Sequence, residues 1–187
     1  MKPEDFYQLV IGINRIFYEM HTNNLAYYSI EYSNARDHAL EEMPYFMNML
    51  QKNHHQTYII EASKILVEGE NHFLLNKAVN YLKKIDDSEK LVDLGRQLKR
   101  QKNVIAEIKA ARNSIFAHLD ENYLKFKNKL NNQSISDLNS LVQNIINYIN
   151  DFIRLDPDLD YRNFPRLNII ENYDQIFYQL VNTKIIK

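Results

Sequence analysis

Only three glycines and four prolines interrupt the 187 residues, and this scarcity constrains the fold more than any other feature. Sandwiches and barrels need turn chemistry every few residues, which this chain cannot supply. It supplies helical periodicity instead. Phe6, Leu9, Val10, Ile13, Ile16, Phe17 and Met20 recur at steps of three and four, laying one apolar stripe along a helix. Pro3 sits where a first-turn proline is tolerated, and Glu4 and Asp5 complement the helix N-terminus. The pattern predicts an all-α fold, a helical bundle of about five to seven helices with moderately long connections.

A second helix is expected from about Leu25 to Glu42, with Tyr28, Tyr32, Ala35 and Ala39 inward. Pro44 begins the next, led by Tyr45, Phe46, Met49 and Leu50; the polar stretch Gln51 to Gln56 is expected to break it before Ile59, Ala62, Ile65 and Leu66 resume the pattern. Gly69 marks a turn, and Phe73, Leu75, Ala78, Val79 and Leu82 predict a short helix. Ser88 then caps a long helix carrying Leu91, Leu94, Leu98, Ile105 and Ile108. Beyond a polar stretch, Ser136 is expected to cap a helix with Leu138, Leu141, Val142, Ile145, Ile149 and Phe152. Asp156 to Pro165 reads as an ordered loop, and Ile169, Tyr173, Ile176, Phe177 and Leu180 mark a last helix. No repeat or low-complexity tract divides the chain. The expectation is one domain over 1–187, with its core at about 3–154 and a C-terminal loop and helix at 155–187.

Composition narrows the class. Hydrophobic residues at 45% and charged residues at 25% fit a folded soluble protein and not a disordered one. A net charge of -1 advertises neither nucleic acid nor anionic membrane, so any such partner must be read from local patches. The absence of cysteine excludes disulfides, thiolate zinc sites and a cysteine nucleophile, and it fits a reducing compartment. The start Met1-Lys2-Pro3-Glu4-Asp5-Phe6 does not resemble a signal peptide, and no stretch reaches the roughly 20 apolar residues of a membrane helix. The expected location is cytoplasmic, with no membrane partner.

The segment Arg112-Asn113-Ser114-Ile115-Phe116-Ala117-His118 carries the one strong chemical signal. Histidine is the side chain best able to exchange a proton near neutral pH. Arginine presents a fixed fork of donors that matches phosphate oxygens and stabilises a pentavalent transition state. RNA brings its own nucleophile, the ribose 2′-hydroxyl, so the reaction requires no metal or cofactor and would leave a 2′,3′-cyclic phosphate or its hydrolysis product. On an unbroken helix Arg112 and His118 would sit about 120° apart around the axis and ~9 Å along it. To act on one phosphate, either the helix ends near Ala117 or the second residue comes from another subunit. By spacing alone the pair is also compatible with a surface ion pair at Arg112 and a helix C-cap at His118.

Arginine, a polar residue, a short apolar run and then Ala117-His118-Leu119-Asp120 resembles the signature of the HEPN superfamily (higher eukaryotes and prokaryotes nucleotide-binding), most of all its AbiU-type abortive-infection branch. The motif covers about nine residues, and the layout of long helices before it and one helix after it is similar across most of the chain. The resemblance implies an all-α, usually dimeric protein, often a metal-independent endoribonuclease of anti-phage defence or toxin–antitoxin systems. It carries over Arg112 and His118 as the catalytic pair, Asn113 as a supporting polar residue and Asp120 as a weaker orienter of the turn. It also allows a separate nucleotidyltransferase-type antitoxin as partner. Some relatives are catalytically silent, so a helical module that dimerises and binds a partner protein or nucleotide is the alternative.

One feature independent of the resemblance agrees. Residues 96–129 hold nine basic side chains against three acidic ones, a local net of +6. Arg96, Arg100, Lys109, Lys125, Lys127 and Lys129 are the candidate RNA-backbone contacts, although a solvated helix face would look the same. Asp37, His38, Glu41 and Glu42 resemble half of a carboxylate–histidine metal site, but the repeated Glu-x-x-His spacing of a di-metal bundle is missing. No metal ligand is assigned.

Overall fold

The computed structural model describes residues 1–33, 36–67, 74–117 and 132–164, together with 173, 175–177 and 179. Seven α-helices have described bounds, α1 (Pro3–Tyr32), α2 (Arg36–Glu42), α3 (Pro44–Leu66), α4 (Leu75–Leu82), α5 (Glu89–Arg100), α6 (Lys102–Ala117) and α7 (Asn132–Ile153); residues 173, 175–177 and 179 are helical too, and no strand occurs among the described residues. Two 3₁₀ turns follow, Pro157–Leu159 and Tyr161–Asn163. The chain divides into two compact units, Met1–Glu19 with Ile59–Phe164, and Met20–Tyr58 with Pro165–Lys187.

The first unit is built around the stripes read from the sequence. Phe6, Leu9, Val10, Ile13 and Phe17 of α1 are all buried, while Ile16 is only half-buried. Leu75, Ala78, Val79 and Leu82 of α4, Leu91 and Leu98 of α5, and Leu138, Val142, Ile145 and Ile149 of α7 complete the core. Helix α5 packs against α4, α6 and α7. Ser88 caps α5 as expected, its Oγ accepting from the Leu91 amide at 3.4 Å.

A buried polar lock ties α1 to the chain's later turns. Asn14 Nδ2 donates to Val10 O and to Asn150 Oδ1, both at 2.9 Å, while Asn14 Oδ1 accepts from Asn150 Nδ2 at 2.8 Å and from the Tyr161 amide at 3.2 Å. All four hydrogen-bonding positions of the amide are filled, which is what allows a fully buried asparagine. Beside it Asp160, also buried, is gripped by Arg162 Nε and Nη2. Burial pushes the Asp160 carboxyl up, but the Arg162 hydrogen bonds and charge outweigh it and hold it below its ordinary value.

The second unit has its own small core of Ile30, Ala39, Met47 and Phe177, with Leu40, Leu50 and Tyr173 packed against it. Its polar residues are paired across the chain. Gln51 Nε2 donates to Glu31 Oε2 at 2.8 Å, and Arg36 Nη2 lies 3.4 Å from the same carboxylate oxygen. His54 Nδ1 donates to Asn23 Oδ1 at 2.9 Å, so in the neutral ring Nε2 accepts from the Tyr173 hydroxyl at 2.6 Å.

Several element boundaries differ from the sequence-based expectation. Helix α1 does not stop before Leu25 but runs on to Tyr32, and α3 is unbroken through Gln51–Gln56. Tertiary partners explain both, because Asn23, Gln51 and His54 find hydrogen bonds as helix residues and need no break in the helix to be satisfied. Tyr32, Tyr45, Phe46 and Met49 are exposed, and Ala26, Tyr27, Ile30 and Met47 are the buried positions instead. The long helix from Ser88 is two helices, α5 and α6, parted at Gln101. Lys99-Arg100-Gln101-Lys102-Asn103 offers no apolar side chain to hold the axis on the core, and the Gln101 amide turns back to Leu98 O at 3.2 Å. Ser136 lies inside α7 rather than capping it, since Ile135 is buried and Gln133 Nε2 bonds Asp137 Oδ1 one turn ahead at 2.8 Å. Gly69, Phe73 and Ala35 lie outside the described residues.

Candidate functional site

Helix α6 is positioned by Ile108 and Ala111, both buried, and it packs on α5 and α7. Burying one such large aliphatic side chain stabilises by ~1.5–3 kcal/mol, enough to fix which way α6 faces. Arg112 follows Ala111 directly and lies about 40° around the helix from Ile108. This places it on the margin of the apolar stripe, where it is half-buried. Its aliphatic stem can cover core atoms while the head stays wet.

The guanidinium is oriented by its neighbour. Arg112 Nε and Nη2 both donate to Asn113 Oδ1, at 3.3 and 3.1 Å. One edge of the fork is therefore held within the motif. Among the described residues no carboxylate pairs with Arg112, so the surface ion pair compatible with its spacing is not formed there.

The described part of the basic region is arranged in two faces. On α5, Arg96, Lys99 and Arg100 are exposed and share an arc of about 100°. On α6, exposed Lys102 and Lys109 share an arc of roughly 80° with Arg112. The acidic residue of this stretch among the described positions is Glu107, also exposed. His118, Asp120, Lys125, Lys127 and Lys129 lie outside the described residues. The structure thus brings together Arg112, Asn113 and Lys109 on one helix, and places Arg96 and Arg100 on the helix before it.

Two features were missed from sequence. The Asn14–Asn150–Tyr161 lock and the His54 bridge join residues more than a hundred positions apart, and neither carries a local motif; Asn14 and Asn150 stand beside apolar stripes, and His54 lies in a stretch that reads as polar. Asp37, His38 and Glu41 are spread along α2, and among the described residues no three His, Asp or Glu side chains form a group that could hold a metal. No helix among them is long and apolar enough to cross a membrane.

No curated protein and no solved structure matches the chain. The AbiU2 family model of the HEPN class matches residues 4–155, taking in all seven helices and the whole Arg112–His118 motif. By that match, which spans most of the chain, the chain belongs to the AbiU2 family of HEPN domains.

Proposed function

We propose that the protein is a metal-independent endoribonuclease of a prokaryotic anti-phage defence or toxin–antitoxin system, with Arg112 and His118 acting on RNA phosphodiesters. The observation that carries this reading is the state of Arg112. Arg112 is half-buried on a family-matched helix, its guanidinium held on one edge by Asn113 and with no carboxylate partner among the described residues. A guanidinium so disposed can accept phosphate oxygens on its remaining donors. In the reaction, the ribose 2′-oxygen attacks phosphorus as His118 takes its proton, and the 5′-oxygen leaves, taking a proton from solvent. The products are a 2′,3′-cyclic phosphate and a 5′-hydroxyl. Arg112 stabilises the added negative charge, and Arg96, Arg100 and Lys109 draw the backbone in. The protein acts as a homodimer whose two motifs face one cleft, and a separate nucleotidyltransferase-type antitoxin restrains it.

The test is a defined single-stranded RNA incubated in EDTA with wild type, His118→Ala and Arg112→Lys. Wild type should cleave RNA and leave DNA intact. His118→Ala should lose ~10²–10⁴-fold in rate, and Arg112→Lys should fail as well, because an ammonium lacks the bidentate fork. Equal cleavage by all three would overturn the assignment. Binding without cleavage, together with no growth arrest on expression, would favour the silent module.

A further inference from the structure

A groove of about 680 Å³ opens in the first unit between α5 and α7, and no described residue of the motif lines it. Its walls are two helical stripes. Lys90 and Leu94 come from α5, and Asn144, Asn147, Tyr148, Asp151 and Phe152 come from α7 at steps of three, one, three and one. The sequence pattern placed Phe152 in the core, yet the residue is 44% exposed. Leu94, which is buried, forms the floor.

The polar groups of this groove are already sorted. The Tyr148 hydroxyl donates to Asp86 Oδ2 at 2.5 Å, which fixes the ring, and Lys90 Nζ lies 5.5 Å from its centroid. Asp151 is engaged by Arg162 at 2.8 Å, so its charge is met from outside the groove. Asn147 Oδ1 accepts from the Tyr161 hydroxyl at 2.7 Å, which leaves Nδ2 as the donor end of that amide. Asn144 is exposed and offers both a donor and an acceptor. One ammonium is too little for a phosphate cradle. An accessible aromatic face, a floor of aliphatic carbon and two asparagine amides are what a flat heterocycle with a hydrogen-bonding edge requires.

We infer that this groove is a nucleobase subsite, in which a base of the bound RNA strand stacks on Phe152 and is read by Asn144 and Asn147. The inference rests on RNA being the substrate and adds a contact outside the cleavage motif. Stacking is nearly blind to salt, so this contact contributes affinity that the basic faces of α5 and α6 do not.

The experiment measures binding by fluorescence anisotropy in EDTA, in the His118→Ala background so that RNA stays intact. Phe152→Leu keeps apolar bulk and removes the aromatic face, and Phe152→Tyr restores the face. Phe152→Leu should weaken binding of single-stranded RNA about 5- to 150-fold, with an unchanged slope of affinity against salt. Phe152→Tyr should bind like the parent, and an abasic ribose-phosphate oligomer should bind both variants equally. Unchanged RNA affinity in Phe152→Leu, or an equal loss on the abasic oligomer, would overturn the subsite. Adenosine or uridine monophosphate binding at the groove without competition from RNA would overturn the strand as the source of the base. Base-dependent binding by a wild type that never cleaves would uphold the subsite and overturn the ribonuclease reading. Cleavage by wild type with no effect of Phe152→Leu would do the reverse.

Discussion

Truncating Asn14 to alanine tests whether the buried amide lock holds α1 to the first unit. Asn14 is 0% exposed and Asn150 1%, so water cannot replace what is lost. The substitution strands Asn150 Oδ1 and the Tyr161 amide, which have Asn14 as a partner, while the Asn150 side chain keeps its hydrogen bond to Asp160. Each buried group left unsatisfied costs ~1–3 kcal/mol, so Asn14→Ala should destabilise by about 2–5 kcal/mol. That is a large share of the ~5–15 kcal/mol typical of a domain. Asn150→Ala should cost less, about 1–3 kcal/mol, because Asn14 keeps Val10 O and the Tyr161 amide, and Asp160, which loses its bond from Asn150, keeps Arg162. The double variant should fall short of the sum by ~1–2 kcal/mol, since the second truncation removes a group the first had stranded. Urea unfolding gives the answer from the midpoint at constant m. A cost below ~1 kcal/mol for Asn14→Ala, or strict additivity, would refute the reasoning.

Arg154 ends α7 at φ 50, with its amide turned to Asp151 O and the Leu155 amide to Asn150 O at 2.9 Å; glycine takes this helix-ending conformation without strain, so Arg154→Gly should stabilise by ~0.5–1 kcal/mol in the same assay. Burial lowers the His54 pKa from its ordinary 6.5, so its contribution to stability is present above that pH and lost as pH falls through the folded value. Urea midpoints at pH 7.5 and 5.5 should therefore differ more for wild type than for His54→Gln. Asn113→Ala frees the Arg112 fork without removing its charge, and single-turnover cleavage in EDTA should slow by about 2- to 10-fold, far less than for Arg112→Ala.

What was legible in the sequence was whatever repeats locally. The Phe6–Met20 stripe, the α4 stripe and the Ser88 cap are each set by residues within a turn or two of one another, and all three are found where periodicity puts them. Polar residues inside helices were not legible. Asn23 and Gln51 read as breaks because their partners, His54 and Glu31, lie 31 and 20 positions away. Phe152 read as core because periodicity gives a helix face and not the depth at which a neighbour covers it; Leu141 and Ile145 of the same stripe are buried, and Phe152 is not. In the candidate site, the pairing of Arg112 with Asn113 on one helix was legible because both belong to one short motif. The groove was not, since Lys90 and Phe152 are brought together only by the packing of α5 on α7.

The spacing of the motif leads to a further test, of which subunit supplies which residue. Arg112 is fixed on α6 by Ile108 and Ala111, and a residue six positions on would point about 120° away if the helix continued. Two motifs meeting at a twofold axis remove the difficulty, because each site can take its arginine from one subunit and its histidine from the other. Arg112→Ala and His118→Ala would then each be inactive alone, since every site lacks one member. Mixed in equal amounts and allowed to exchange, half of the dimers carry one of each variant. Each such dimer has one site with both residues and one with neither, so about a quarter of wild-type sites return. Cleavage in EDTA at about that level is the expected result, growing as exchange proceeds. If the mixed dimers form, as a size-tagged subunit would show, and cleavage stays at the level of either variant alone, the pair works within one chain. In that case α6 must end near Ala117 to bring His118 round to Arg112.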